Sequence, residues 1–218
     1  MSSQDTNKRK LMMDVRRVEA LSDGIFAIVM TLFVLSIDLP APPQDNADEV
    51  LRESLVNVWP QMKSYLLSFF LLGVFWVIHH RQLHFIKRVD SGYLWINIIY
   101  LMLVALVPFS TGVLGDYSNI QDAALVFEFN LLCVGLFQLA AWYYATRDFR
   151  LVDPEEFDPE RMRIGLKLNL IIPAISLVAM GLSFINPYRS TEIYILIPLI
   201  IWLLSRRGVS NNRLAGSA

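Results

Sequence analysis

The sequence predicts an all-α integral membrane protein with six transmembrane helices. Three observations predict it. Of the 218 residues, 55% are hydrophobic and 18% are charged, whereas a soluble domain holds about 45–50% apolar and about 25% charged residues. The apolar residues gather into six stretches, five of them near the roughly 20 residues that a helix needs to cross the hydrocarbon core and the last one shorter. Lys and Arg alternate from loop to loop, as they do when chain segments lie on opposite sides of a bilayer.

The expected spans cover about 18–39, 59–80, 93–114, 123–145, 164–184 and 193–204. The cores of the first two read GIFAIVMTLFVLSIDL and YLLSFFLLGVFWVI. The fifth contains Pro173; the sixth and shortest, IYILIPLIIWLL, contains Pro198. These prolines are weak hints of kinks, which are common in membrane helices in any case. A soluble helical protein would need polar faces at a 3.6-residue period, and these segments are apolar all round. The polar N-terminus, with Lys8, Arg9 and Lys10, shows no signal-peptide cleavage region. Two loops are long: 40–58 is Pro-rich, then acidic and amphipathic, and 146–163 is dense in both signs. One six-helix domain over 1–218 is expected.

Charge sets the orientation. With six spans, 16 of the 19 Lys and Arg fall on the side that holds both termini. Only Arg52, Lys63 and Arg189 fall on the other, beside eight acids, for a net charge of −5 there. The positive-inside rule then puts both termini in the cytoplasm of a multi-pass cell-membrane protein. An acidic rim concentrates cations at a pore mouth, and it also describes an ordinary solvated loop.

Composition excludes other classes. A single Cys gives no disulfide framework and no Cys-based metal site. A net charge of −1 shows no basic excess for nucleic acid. No nucleophile elbow, zinc-protease motif or phosphate loop occurs, so neither enzymatic activity nor a cofactor is expected. His80 and His84 stand at i, i+4 and could share a metal, but a third ligand is lacking; an interface role suits them better.

Charged residues at the start of an apolar span are costly and usually paired or functional. Arg16, Glu19 and Asp23 share one face of the first span, with Arg17 and Ser22 beside them. Asp23 lies about one turn inside the apolar run, where an unpaired carboxylate is unfavourable. Arg17 of a neighbouring helix and a His of the second span are its candidate partners; alternatively the cluster only anchors the helix among headgroups. Protonation of His79 or His80 against Asp23 would make gating depend on pH. Gly24 permits close approach of another backbone. Ile28, Leu32 and Leu35 recur at i, i+4, i+7, with Thr31 beside them, about 140° around the helix from Asp23. Such a stripe ordinarily faces lipid or another helix.

These residues carry a resemblance. Arg17-Val-Glu-Ala-Leu21-Ser22-Asp23 resembles the Arg-x-x-x-Phe-Ser-Asp signature of the transmembrane protein 175 family of potassium channels, with Leu21 in place of the usual Phe. Trp76-Val-Ile-His79-His80 and Leu106-Val107-Pro108-Phe109 resemble two later family segments. The resemblance implies a homotetramer in which the first helix of each subunit lines a central pore. It implies that Ile28 forms the narrowest ring, with Leu32 and Leu35 the next ones and Thr31 the polar group among them. Arg17, Ser22 and Asp23 would instead hold the helix in place through inter-helix bonds, together with Gly24, His79 and His80. Potassium would be the permeant ion, favoured over sodium, and lipid and the subunit's own copies the partners. No Thr-Val-Gly-Tyr-Gly filter occurs, so a ring of apolar side chains that excludes water is the expected gate.

The rival class is a secondary transporter. Glu128, Asn130 and Gln138 of the fourth span are its best features, since an intramembrane Glu can bind a proton or coupling ion. Glu128 is expected near the outer end, within reach of water.

Overall fold

A computed structural model describes residues 14–37, 47–155, 158–197 and 200 of the chain. Helices dominate among them. In chain order they are α1 (Val15–Leu32), α2 (Ala47–Asn57), α3 (Trp59–Phe85), α4 (Ser91–Ala105), α5 (Val107–Asp116), α6 (Gln121–Thr146), α7 (Pro159–Ser183) and the single turn α8 (Pro187–Ser190). Short 3-10 turns follow α1, α6 and α8.

Among the described residues four stretches are long and apolar enough to cross a membrane: Trp59–Phe85, Ser91–Asp116, Gln121–Phe149 and Met162–Ser183. They correspond to the second to fifth expected spans. α1 has 18 residues, about 27 Å of helix. Its four charged side chains, Arg16, Arg17, Glu19 and Asp23, keep it apart from that set. The sixth expected span opens with the 3-10 turn Thr191–Ile195; residues 201–204 of it lie outside the described residues, as do 38–39 of the first and Pro198.

The third span is broken. α4 ends at Ala105, and α5 begins at Val107 with Pro108 in its first turn. Pro108 has no N–H to give and its ring crowds the carbonyl four residues earlier. The fifth span runs through its proline unbroken: α7 continues past Pro173 to Ser183. Gly135 of α6 explains how the two helices come together there, because a Cβ on it would lie 2.9 Å from Cδ of Pro173.

α6 and α7 share the largest helix contact, α1 packs on α3 and α4, α4 on α6, and α5 on α3 and α6. The main core joins Phe26, Leu71, Phe75, Tyr100, Phe127 and Ile172. A second cluster, with Val18, Leu83, Ile86, Tyr93 and Leu151, closes the end where Arg81, Lys87, Arg88, Arg147 and Arg150 gather. This is called the basic end below. α1 starts there and runs toward the opposite, acidic end.

The basic end is tied by a clasp between two loops. Asp148 and Phe149 adopt left-handed backbone conformations (φ 54° and 52°), uncommon for residues with a Cβ. They turn the chain sharply after α6, so Val152 forms an antiparallel bridge with Ile86, and Lys87 N–H donates to the Leu151 carbonyl at 2.9 Å. Asp90 caps α4 by accepting the Tyr93 N–H at 2.9 Å. Its carboxylate also accepts the Tyr144 hydroxyl at 3.0 Å and Arg150 Nε at 3.1 Å. Burial pushes the Asp90 carboxyl up, but the Tyr93 N–H, the Tyr144 hydroxyl and the Arg150 charge outweigh it and hold the group below its ordinary value.

Candidate functional site

α1 has two faces with different surroundings. Val18, Ser22, Phe26 and Val29 are buried against α3 and α4. On the other side Ile28 is 60% exposed, Leu32 46% and Leu35 78%, and Thr31 is exposed beside them. The Thr31 hydroxyl donates back to the Ala27 and Ile28 carbonyls at 3.1 and 2.9 Å. Its donor capacity is thereby spent within the helix, and the oxygen presents lone pairs outward. The stripe therefore consists of large apolar side chains and one acceptor, with no partner within the described chain to cover it.

The anchored face is held by three bonds to α3. The Ser22 hydroxyl donates to the Val18 carbonyl at 2.8 Å, and His79 Nε2 lies 3.1 Å from the same oxygen. Because the Ser22 proton is directed to Val18, the geometry favours Nε2–H as donor to Ser22. The His79 ring stacks on Tyr100 of α4 with centroids 5.0 Å apart, and Phe26 packs against both rings. Trp76 Nε1 donates to Asp23 Oδ1 at 2.8 Å. His80 Nδ1 lies 3.3 Å from Glu19 Oε1 and stacks on Trp76.

These pairings correct part of the sequence reading. Within this chain Asp23 takes the Trp76 indole, and not a histidine, as its hydrogen-bond partner. Arg17 is exposed and its side chain makes no hydrogen bond or ion pair among the described residues. Gly24 is also exposed, and a Cβ on it would meet nothing within 4 Å among the described residues. His84 packs edge-on against Phe85. Among the described residues no group of three or more His, Cys, Asp or Glu is placed to hold a metal. The signal for Trp76 is legible afterwards: Trp76, His79, His80 and Leu83 stand at i, i+3, i+4, i+7 on α3, the spacing of a packed helix face.

Glu128 departs from expectation. Its side chain is buried, where exposure to water was expected. Ser190 Oγ donates to its Oε1 at 2.6 Å, while Oε2 has no partner among the described residues. The turn α8 folds over α6 and seals it, which residue spacing does not reveal. Other polar groups toward the acidic end pair directly: Ser68 with Thr111 at 2.6 Å, Tyr194 with Ser176 at 3.1 Å, and Lys63 with Glu192 at 2.9 Å. Asn130 meets the Ser110 hydroxyl at 3.0 Å in either orientation of its amide.

Comparison with known proteins gives the context. Residues 17–108, which hold α1, its partners on α3 and the start of α5, match the family described as "Endosomal/lysosomal potassium channel TMEM175". A potassium channel of Streptomyces collinus is 33% identical over 78% of this chain and 82% of its own length. The chain belongs to the TMEM175 family. A second member, a potassium channel of Chamaesiphon minutus, is 34% identical over 87% of this chain and 94% of its own. The crystal structure of a lysosomal potassium-selective TMEM175 homologue from that organism superposes with a TM-score of 0.74. It does so at 32% identity over 87% of this chain and 96% of that one. Ser22 and Asp23 thus fall on the face of α1 bonded to α3, Arg17 and Leu21 are exposed, and the apolar stripe lies on the face left open.

Proposed function

We propose that this chain is a potassium-selective cation channel, assembled as a homotetramer in which four copies of α1 surround the pore. The observation that carries the reading is the open stripe Ile28, Thr31, Leu32 and Leu35 on a helix whose opposite face is bonded to α3. A large uncovered apolar row beside a hydrogen-bonded one marks a surface completed by something else. Four-fold assembly would turn the row into stacked rings, with Ile28 the constriction and Thr31 the one polar collar. Gly24, open in the single chain, then has room for a neighbouring subunit. The rings close the path by excluding water, and a small outward movement of α1 rehydrates it. The relatives named potassium channels support the permeant ion.

In this reading the chain is one six-helix domain over 1–218 in the cell membrane, with the basic end and both termini cytoplasmic. It uses lipid and its own copies as partners and needs no cofactor. The test is ion flux in liposomes. The parent protein is expected to pass potassium faster than sodium without a proton gradient, and Ile28→Asn to pass both. Coupled transport is the second reading, favoured by the sealed Glu128 carboxyl. Flux that saturates and follows a proton gradient would select it.

A further inference from the structure

Buried polar groups are nearly always hydrogen-bonded, because a lone one forfeits its hydration. The interior between α1, α3, α4 and α6 breaks this rule in one place. Gln82 Oε1, both amide atoms of Asn97, and the hydroxyls of Tyr93 and Tyr100 have no partner among the described residues. All four side chains are more than nine-tenths buried, at 4%, 0%, 0% and 1% exposure in that order.

The four belong to one region. Tyr93, Asn97 and Tyr100 stand at i, i+4, i+7 on the buried face of α4. His79 of α3 stacks on Tyr100. α3 runs into the shared loop and α4 out of it, so from the stacked pair His79 and Tyr100 one turn toward the loop brings Gln82 and Asn97 to a similar depth. Tyr93 follows another turn down. α1 packs on both helices, and α6 packs on α4 and reaches α3 through Gln138, whose Nε2 donates to the Phe75 carbonyl at 3.1 Å. The Gln82 amide donates to Asn169 Oδ1 of α7 at 2.7 Å, which directs its free carbonyl oxygen elsewhere. Amide donors, amide acceptors and phenol hydroxyls thus line one strip of the interior without satisfying one another.

We propose that this strip is a binding site for ordered water inside each subunit, distinct from the stripe on the open face of α1. A buried water makes about three hydrogen bonds, so five unpaired atoms call for about two molecules. Water suits the set because it donates to the amide oxygens and accepts from the amide nitrogen and the phenols. A divalent cation suits it less well, since no carboxylate lies among the four residues and the Asn97 amide nitrogen and the phenols are donors that need an acceptor. The waters bridge α3 to α4 directly behind His79, and so form the seat on which the anchored face of α1 rests. Toward the acidic end the unpaired atoms are single ones, Gln61 Oε1 and Glu128 Oε2, beside direct bonds such as Ser68–Thr111 and Tyr194–Ser176.

The experiment is hydroxyl-radical labelling of the full chain in lipid nanodiscs by X-ray radiolysis of water, read residue by residue by mass spectrometry. Radicals made from bound water oxidise the side chains that touch it. Tyr194, fully buried and bonded to Ser176, is the dry control, and Tyr117, 56% exposed, the wet one. Tyr93 and Tyr100 are expected to be labelled at least about tenfold faster than Tyr194. Labelling at the Tyr194 rate overturns the proposal. Asn97→Leu, similar in branching and without polar atoms, is expected to bring Tyr93 and Tyr100 down to the Tyr194 rate. Unchanged labelling in a folded Asn97→Leu protein shows that the water is not bridged through Asn97, and overturns the site as drawn.

Discussion

The two faces of α1 follow opposite rules. The anchored face satisfies its polar groups within the subunit: Ser22 with His79, Asp23 with Trp76, Glu19 with His80. The open face leaves Ile28, Leu32 and Leu35 uncovered. One helix therefore holds a fixed reference and a bare working surface about half a turn apart. The contrast implies that substitutions on the open face alter conduction with little effect on folding, and that those on the anchored face do the reverse.

The strongest test of that division is Ile28→Asn, which puts a hydrated amide into the proposed constriction. Sodium leak in liposomes should rise about tenfold or more, because water no longer leaves the ring, while the melting temperature stays near that of the parent. An unchanged leak places the constriction elsewhere. Next in size is Ser22→Ala. It leaves the buried His79 nitrogen without its partner and should cost about 1–3 kcal/mol in thermal unfolding, with the potassium-to-sodium ratio unaltered. A shifted ratio would mean that the two faces are not separable. Trp76→Phe removes one donor to a partly exposed carboxylate and should cost about 1 kcal/mol, again without a change in selectivity.

The smallest effect concerns the clasp beneath the anchored face. The Asp90 carboxyl is held below its ordinary value of 3.8. Its contribution to stability is therefore complete above that value and disappears as the pH falls through the depressed one. In acid unfolding, Asp90→Asn should lower stability at neutral pH and flatten its loss below pH 4. A variant that keeps the parent's acid profile removes Asp90 from the account.

Much of this was legible in the residues. Four long apolar runs became four membrane-length helices, because a lipid-facing backbone must satisfy itself internally. The α1 stripe was legible too, since a 3.6-residue period places Ile28, Leu32 and Leu35 together. The partners of the polar face were not. Spacing places Asp23 at a depth on one helix, but which donor of α3 stands opposite depends on how the helices rotate and tilt. The break at Leu106 had its mark in Pro108, yet Pro173 carries the same mark and leaves α7 whole because Gly135 makes room beside it. Glu128 lies toward the outer end as expected, but its burial was not legible because its cover, the turn α8, comes from residues 62 positions further along the chain.

The clasp at the basic end has a mechanical meaning. The loop after α3 and the loop after α6 are joined by the Ile86–Val152 bridge, the Lys87–Leu151 hydrogen bond and the Asp90–Arg150 pair. They form a single plate from which α3, α4 and α6 all rise. A pull applied to either loop is shared by all three helices, so α1, resting against two of them, moves relative to a rigid frame and not to a set of independent rods.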